Sequence, residues 1–480
     1  MADSKDTLRQ ITKRHKKPIV SLLLDIQRYQ ALQQQFLCFL YDLECFSVKG
    51  DEGTRLYRHR INAFEETDYV ALSYTWDPSQ YENPRNKGYS VKDRSRKREF
   101  PSPVRDCVFE RITKYMHCKG VKLLWIDRHS LPQQICKSSA CDRRNPKHEK
   151  CHKKRAGLQC MDWVYKLSKH PVALLGRPLK LRRELTLLHK ILKGKLVNQS
   201  DRADQPQLLQ GRNLQQAKDA LKLLFAITSD LWWQRAWTFQ ENYKGGKDMT
   251  LLIRHARSLE GYKRRSRTFG YVPGEVCVNS RLFSDQATEL CVAFRSTKHI
   301  TPKEEEMIRS VLSRAGKYTV LLEKSQIMSP KIIADVEERD VRDVWDRLAI
   351  VGNCCSYSVR MDIERLRQDD HSLSLSMLAM CLLNGEILDN RPSGGHTASN
   401  LTVSRFLKVQ SFDKMSSPLE QRSLTFNKGS RFTDVKLHES GILTKGHLWK
   451  LGRIIQTGHF SNRLPWVESP GGELELCKVT

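Results

Sequence analysis

Apolar and polar residues follow one another along the chain in blocks that predict strands and helices in turn. Apolar residues at helical spacing predict helices at residues 103–118, 158–168, 208–228 and 231–243. Short apolar runs rich in β-branched and aromatic residues predict buried strands at residues 69–76, 121–127, 172–175 and 249–253. Because these strands and helices alternate, the pattern favours an α/β domain with a mostly parallel sheet flanked by helices.

Before and after this region of alternating strands and helices, the sequence predicts mainly helices and loops. Residues 19–42 predict a helical opening, and residues 81–97 are polar and basic enough to predict a long exposed loop. Further helices are predicted at residues 304–324, 341–366 and 373–388, and composition predicts a linker at residues 389–400. We therefore expect an N-terminal helical segment, an α/β domain, a mainly helical companion domain and an irregular C-terminal region, at residues 1–60, 61–260, 261–390 and 391–480.

Composition and charge narrow the class of protein. Of the 480 residues, 39% are hydrophobic, which suffices for an ordinary core, and 82 Lys and Arg against 54 Asp and Glu give a net charge of +28. This charge suits polyanionic partners such as nucleic acid, acidic lipid headgroups or acidic proteins. No window approaches the ~18 continuous apolar residues that a membrane span needs. The polar N-terminus lacks an apolar signal segment, so we expect an intracellular protein, in the cytoplasm.

Two acidic residues stand in positions that favour chemistry. Trp233, Trp237 and Glu241 are spaced four apart, which on one helix places them along a single face. Asp127 closes a predicted strand, and ligands of parallel sheets bind at the carboxyl ends of strands, which also places Tyr74 and Trp76 near any pocket. The alternatives are that both tryptophans belong to the core with Glu241 at a solvated helix end, and that Asp127 caps a helix or fixes a turn.

Cysteines and histidines cluster between the second and third predicted strands. Cys136, Cys141, Cys151 and His152, with His148 among them, are residue types that bind zinc. The paired C-x2-C knuckles of zinc ribbons are absent from the sequence. We therefore expect no metal, and unpaired thiols on a long basic insertion, with zinc as the weaker alternative.

Basic runs at residues 143–155, 177–183 and 263–267 offer phosphate contacts. No aromatic residues interleave with them as in nucleic-acid-binding modules, so solvated surface is the favoured interpretation. Nucleic acid stays open as an alternative partner. The sequence also lacks a Walker loop, a GxGxxG, an HExxH and a GxSxG motif, which removes the standard forms of several enzyme classes.

Three segments in a fixed order resemble the fungal heterokaryon incompatibility (HET) domain. They are YVALSYTW at Tyr69–Trp76, LLWIDRHSLPQ at Leu123–Gln133 and QRAWTFQE at Gln234–Glu241. The family typically shows ALSYxWG, LWIDxxCIxQ and RxWxxQE in this order. Asp77 stands where the family has glycine, and Ser130-Leu131-Pro132 replaces Cys-Ile-x before the glutamine.

The resemblance implies a role in fungal self/non-self recognition and regulated cell death. It implies a fold related to Toll/interleukin-1 receptor (TIR) domains, which are flavodoxin-like, and partners that include a second copy of the chain and a HET or NLR-type protein. Some TIR domains cleave NAD with a glutamate four residues after a tryptophan, the spacing of Trp237 and Glu241. NAD is therefore the expected substrate if the chain is an enzyme.

In that enzymatic version Glu241 and Asp127 are the candidate catalytic residues. Asp127 binds ribose hydroxyls, while Tyr74, Trp76 and Trp237 enclose flat rings and Arg235 joins them as a ligand-binding residue. Two alternatives remain: a non-enzymatic signalling module that acts by self-assembly and partner recruitment, and a basic protein that binds nucleic acid.

Overall fold

The structure is a computed structural model, and its elements are numbered here in chain order. It describes residues 3–49, 54–92, 99–133, 136, 148–198, 206–209, 213–297, 300–317, 328–386, 388, 398–408 and 431–445. Residues Met1–Thr444 form one compact unit, and of a second unit, Lys445–Thr480, the structure describes Lys445.

The described residues form strands and helices between Leu8 and Lys445. The strands are β1 Gln30–Leu32, β2 Leu43–Lys49, β3 Arg55–Ile61, β4 Tyr69–Ser73, β5 Ser90–Lys92, β6 Glu99–Pro101, β7 Leu123–Ile126, β8 His170–Leu179, β9 Val197–Asn198, β10 Gln207–Leu208, β11 Thr250–His255, β12 Glu275–Asn279, β13 Val359–Met361, β14 Thr433–His438 and β15 Gly441–Lys445. The α-helices are α1 Leu8–His15, α2 Ile19–Gln27, α3 Cys38–Tyr41, α4 Asp106–Lys119, α5 Asp127–Ser130, α6 Glu149–Gln159, α7 Met161–Leu167, α8 Arg182–Leu192, α9 Asn213–Thr228, α10 Leu231–Gln234, α11 Ala236–Gly245, α12 Glu260–Ser266, α13 Ser280–Arg295, α14 Pro302–Ala315, α15 Met328–Glu337, α16 Asp346–Cys354, α17 Ile363–Gln368, α18 Leu373–Leu383 and α19 Val403–Lys408.

A mixed sheet organises the first half of the chain. Within the described residues nine strands pair in the order β12-β11-β8-β4-β7-β2-β3-β5-β6. The strands β11, β8, β4 and β7 run parallel, whereas β12 and β2 join this centre antiparallel. The four predicted strands are thus the parallel centre of the sheet, and the predicted α/β class is confirmed. Numbered by chain position, they lie in the order 2-1-3-4, which is the flavodoxin-like order.

The central strands are buried on both faces because their side chains alternate between two cores. Ala71 and Trp125 point into a core shared with helices α6–α9, α13 and α14, whereas Val70 and Leu124 point into a core with α4. All five residues of β4 are buried, which explains why the sequence shows a continuous apolar run there and no alternation.

A separate, mainly helical core lies beside the sheet. It is built from α1, α2, α15, α16, α18, α19 and β14. Helix α18 is buried almost all round, as its apolar sequence predicts. Trp237 of α11 packs against both this core and the core of the sheet. The domain boundaries at residues 60, 260 and 390 stay predictions.

Four local predictions are wrong, in each case because a long-range contact overrides the local pattern. The predicted helices at 19–42 and 341–366 are both interrupted where β1 pairs with β13. The predicted loop at 81–97 contains β5, which pairs in parallel with β3. The predicted helix at 231–243 breaks at Arg235, whose backbone is extended because Ala236 N donates to Asp340 O at 2.9 Å.

The structure leaves some predictions outside its described residues. These are Cys141, the start of the basic run at 143–155, residues 318–324 of the helix predicted at 304–324, which ends at Ala315 in the structure, and most of the linker at 389–400. Among the described residues, no helix combines the length and apolar character required to cross a membrane.

Candidate functional site

Two carboxyl side chains lie at the carboxyl edge of the parallel strands. Leu72 of β4 pairs in register with Ile126 of β7, so Ser73, the last residue of β4, and Asp127, the first residue after β7, come next on two neighbouring strands. The hydroxyl of Ser73 donates a hydrogen bond to the carboxyl group of Glu241 on α11. The predicted Asp127 and Glu241 therefore belong to one cluster at the carboxyl ends of the parallel strands, the edge at which such sheets bind ligands, and the charge of Asp127 acts on Glu241.

Glu241 is buried inside a polar cluster. Trp232 Nε1 donates to Ser73 Oγ at 2.7 Å, and Tyr165, whose hydroxyl donates to Leu72 O at 3.0 Å, lies beside the Glu241 carboxyl. Burial raises the pKa of Glu241 to about 8; the bond from Ser73 opposes this rise, and the nearby charge of Asp127 adds to it. Glu241 is therefore largely protonated at neutral pH.

Asp127 lies nearer to the surface of the same cluster. It is half-buried, and it accepts hydrogen bonds from Trp76 Nε1 at 2.7 Å and from Arg128 N at 2.6 Å. Burial raises the pKa of Asp127 to about 6, while the bond from Trp76 and the neighbouring Tyr74 hydroxyl oppose that rise. Asp127 is thus mostly ionised at pH 7, whereas Glu241 is mostly neutral.

Arginine side chains surround the outer side of this cluster. The Arg128 guanidinium stacks over the Trp76 ring at 4.3 Å from its centroid. Arg105 donates to Trp76 O at 2.6 Å, and Arg235, whose charge lowers the pKa of Glu241, pairs with the exposed Asp77 at 3.5 Å. Arg105 is buried and pairs with Glu82, whereas Arg128 and Arg235 are half-buried, and guanidinium groups of this kind are suited to binding phosphates.

A close backbone approach holds the loop after β4 in place. A Cβ atom on Gly176 of β8 would lie 2.3 Å from Ser79 Oγ, so only glycine permits this contact. Glu82 accepts from Ser79 N at 3.0 Å and pairs with the buried Arg105 at 3.3 Å. The Trp76 loop is therefore held against β8 at Gly176 and against the start of α4 at Arg105.

The aromatic residues predicted to lie near Glu241 and Asp127 occupy different environments in the structure. Because the helix breaks at Arg235, Trp233 lies on α10 and not on the helix of Glu241; it is buried and stacks on Phe283 at 5.8 Å between ring centroids. Trp237 is half-buried, and its Nε1 donates to Asp346 Oδ2 of the helical region at 3.1 Å. Tyr74 is buried beside Asp127. The prediction of one face for both tryptophans and Glu241 is therefore wrong.

Some of the residues predicted as possible zinc ligands lie close together in the structure. Cys136 and Cys151 lie within reach of one another, and His148 joins them. His152 lies outside this group of three, and Cys141 lies outside the described residues.

Sequence reasoning missed several side chains of the cluster. They are Ser73, Arg105, Arg128, Tyr165 and Trp232. The rule of the strand ends that selects Tyr74 and Trp76 applies equally to Ser73 and Arg128. No comparable signal marks Tyr165 or Trp232, because only the packing of α7 and α10 brings them to Glu241.

One comparison with known proteins gives a match. Residues 69–241 match the family model described as "Heterokaryon incompatibility protein (HET)". The matched span begins at the first residue of β4 and ends at Glu241, so it contains the whole carboxyl cluster. A search of curated proteins and a search of solved structures gave no match for the chain.

Proposed function

We propose that the chain acts in heterokaryon incompatibility, as a self/non-self recognition protein and cell-death effector, and that its carboxyl cluster cleaves NAD. The match to the HET family supports the first part. The second part depends on one observation: Glu241 and Asp127, both with raised pKa values, belong to one cluster at the carboxyl ends of the parallel strands. The 2-1-3-4 strand order supports the proposed likeness to TIR domains.

The chemistry of NAD suits a site without a strong acid. The bond between ribose C1′ and the pyridinium nitrogen breaks with its electron pair passing to the nitrogen, so nicotinamide leaves neutral and needs no proton. The ribosyl group is left with positive charge at C1′, which a carboxylate stabilises. Water then adds to C1′ and loses a proton, for which the Glu241 carboxylate is the proposed acceptor.

The other side chains have proposed roles that follow from their places. Asp127, ionised at pH 7, accepts hydrogen bonds from the ribose hydroxyls. Trp76 and Tyr74, which both neighbour Asp127, are proposed to contact the flat rings of NAD, and so is Trp237. Arg235 and Arg128 bind the pyrophosphate, since both flank the carboxyl pair.

The direct test is release of nicotinamide from NAD by the purified full chain, alone and concentrated to force self-association. Glu241→Gln keeps the shape of the side chain and removes its charge, so we expect loss of turnover. Glu386→Gln is the control, because Glu386 is also buried and also accepts from a serine, Ser329 at 2.6 Å; it differs in pairing with Arg431 at 3.1 Å. Equal turnover in the two variants would contradict the enzymatic role of Glu241.

A second candidate function is a non-enzymatic signalling module that acts by self-assembly and partner recruitment. The observation in its favour is that Glu241 is only 6% exposed and is already hydrogen-bonded to Ser73. If this candidate is correct, overexpression of Glu241→Gln remains toxic in a fungal host. If NAD cleavage is the cause of toxicity, Glu241→Gln is harmless and Glu386→Gln still kills.

A further inference from the structure

Three side chains that bind transition metals converge at the start of helix α6. Cys136 follows the second motif, His148 is the residue before the first residue of α6, and Cys151 lies in the first turn of that helix. Their ligand atoms all lie within 4.8 Å of one another. Two stretches of chain, separated by eleven residues, thus place sulfur and nitrogen atoms around one point.

The distances between these atoms are close to those of a metal site. Cys136 Sγ lies 3.2 Å from Cys151 Sγ and 3.2 Å from His148 Nδ1, and Cys136 N points to Cys151 Sγ at 3.3 Å. Tetrahedral zinc with Zn–S bonds of about 2.3 Å holds two sulfurs about 3.8 Å apart. The thiols therefore need to separate by about half an ångström, which small side-chain rotations provide.

The charges around the group favour a neutral metal complex. Helix α6 has Glu149 in its first turn, and the charges of Lys153 and Arg155 are paired with Glu44 and Glu364, so the positive end of the helix dipole is the main feature that repels a bare cation. Two thiolates and a neutral imidazole cancel the charge of Zn²⁺. Binding would pass the two thiol protons to solvent, which keeps the complex neutral.

From this geometry we propose that Cys136, His148 and Cys151 bind one Zn²⁺ ion, with a fourth position open to water. The ion ties the end of the second motif to the first turn of α6. Gln133, three residues before Cys136, donates through Nε2 to the carbonyl oxygens of Asp127 at 3.3 Å and Leu131 at 3.0 Å. The zinc site would thereby hold the segment that supports Asp127, and it is independent of whether the chain cleaves NAD.

The test is the metal content of the full chain purified under reducing conditions. We expect about one zinc per wild-type chain, and a decrease of about tenfold or more in Cys136→Ser and Cys151→Ser, with a smaller decrease in His148→Ala. Cys118→Ser, which changes an exposed cysteine at the end of α4, is the matched control and should keep its zinc.

A second measurement uses the wild-type protein alone, so that it does not depend on the folding of any variant. After removal of metal with a chelator, calorimetric titration should show uptake of one Zn²⁺ and not of Mg²⁺. Cobalt should give the absorption bands of thiolate ligation, and the chelator should lower the Tm. Absence of zinc uptake by the reduced protein would overturn the proposal. So would zinc content unchanged in Cys151→Ser, or a Cys136–Cys151 disulfide in the protein as isolated.

Discussion

At the scale of single residues, the raised pKa of Glu241 links its burial to the stability of the protein. Its pKa of about 8 lies far above the ordinary value of 4.5, and burial is the main cause. Between these two pH values the folded chain keeps a proton that the unfolded chain has released. The contribution of Glu241 to stability is therefore full below about pH 4.5 and is lost as the pH rises to about 8.

Replacing Glu241 by glutamine should remove this pH dependence. We expect wild-type protein to lose up to about 1.4 kcal/mol of unfolding free energy per pH unit relative to Glu241→Gln between pH 5 and 8. Urea unfolding of both proteins at four pH values in this range measures the difference. Parallel curves for the two proteins would show that Glu241 titrates at its ordinary pKa.

Ser73 connects Glu241 to the indole of Trp232, so its hydroxyl satisfies two buried groups. Ser73→Ala leaves both without this partner, and we expect a loss of about 1–3 kcal/mol of unfolding free energy. Because the Ser73 bond lowers the pKa of Glu241, its removal should also raise that pKa further.

Chemical denaturation of Ser73→Ala beside Ser313→Ala measures the cost. Ser313 is an exposed serine on α14 whose hydroxyl bonds only to Ser310 O at 3.0 Å among the described residues. We expect it to change stability by less than about 0.5 kcal/mol. A Ser73→Ala protein as stable as this control would contradict the proposed network.

At the scale of elements, one arginine fixes α4 to the sheet. Arg111 pairs with Glu275 of β12 at 2.7 Å and also donates to Leu175 O of β8 and Leu252 O of β11, both at 2.8 Å. Arg111 and Glu275 are both buried. The helix is thus attached across three neighbouring strands on one face of the sheet.

Replacing Arg111 should lower the unfolding free energy because it leaves the charge of Glu275 buried without a partner. We expect Arg111→Met to lose about 3–5 kcal/mol, and Arg111→Met with Glu275→Leu to lose less than Arg111→Met alone. A double-mutant cycle by chemical denaturation gives both values. If the double variant is the less stable one, the pair is not what holds α4.

The strands that the sequence predicts correctly are those with three or more consecutive buried apolar residues. Strands β4, β7, β8 and β11 each contain a continuous apolar run, and such runs can be recognised without knowing the strand's partner. Strands β1, β5 and β13 are short, and they exist because a distant strand pairs with them. The break at Arg235 has the same cause, since the backbone of Asp340 sets it. Local pattern carries no information about such contacts.

At the scale of the whole molecule, helix α11 lies where the two cores meet. Its Ala236 belongs to the helical core, and Trp237 packs against both cores. Buried polar contacts cross the same boundary: Asn353 Nδ2 donates to Leu158 O at 2.9 Å, and Arg360 lies 3.9 Å from Asp162. A change in the helical region therefore has a physical path to the helix that holds Glu241.

The sequence identifies the two carboxyl residues, but it does not predict the side chains that surround them. The strand-end rule places Asp127 at the edge of the sheet, and the third motif singles out Glu241. The order 2-1-3-4 that brings them together, and the different environments that separate their pKa values, arise from packing between distant segments, from 51 residues apart for Trp76 and Asp127 to 168 for Ser73 and Glu241.

The pH profile of nicotinamide release from NAD tests this account most directly. The reaction uses the carboxylate form of Glu241, so the rate should rise with pH and level off above about 8, and Glu241→Gln should show no release. No release by concentrated wild-type protein at any pH from about 6 to 9, or one profile shared by wild type and Glu241→Gln, would contradict it.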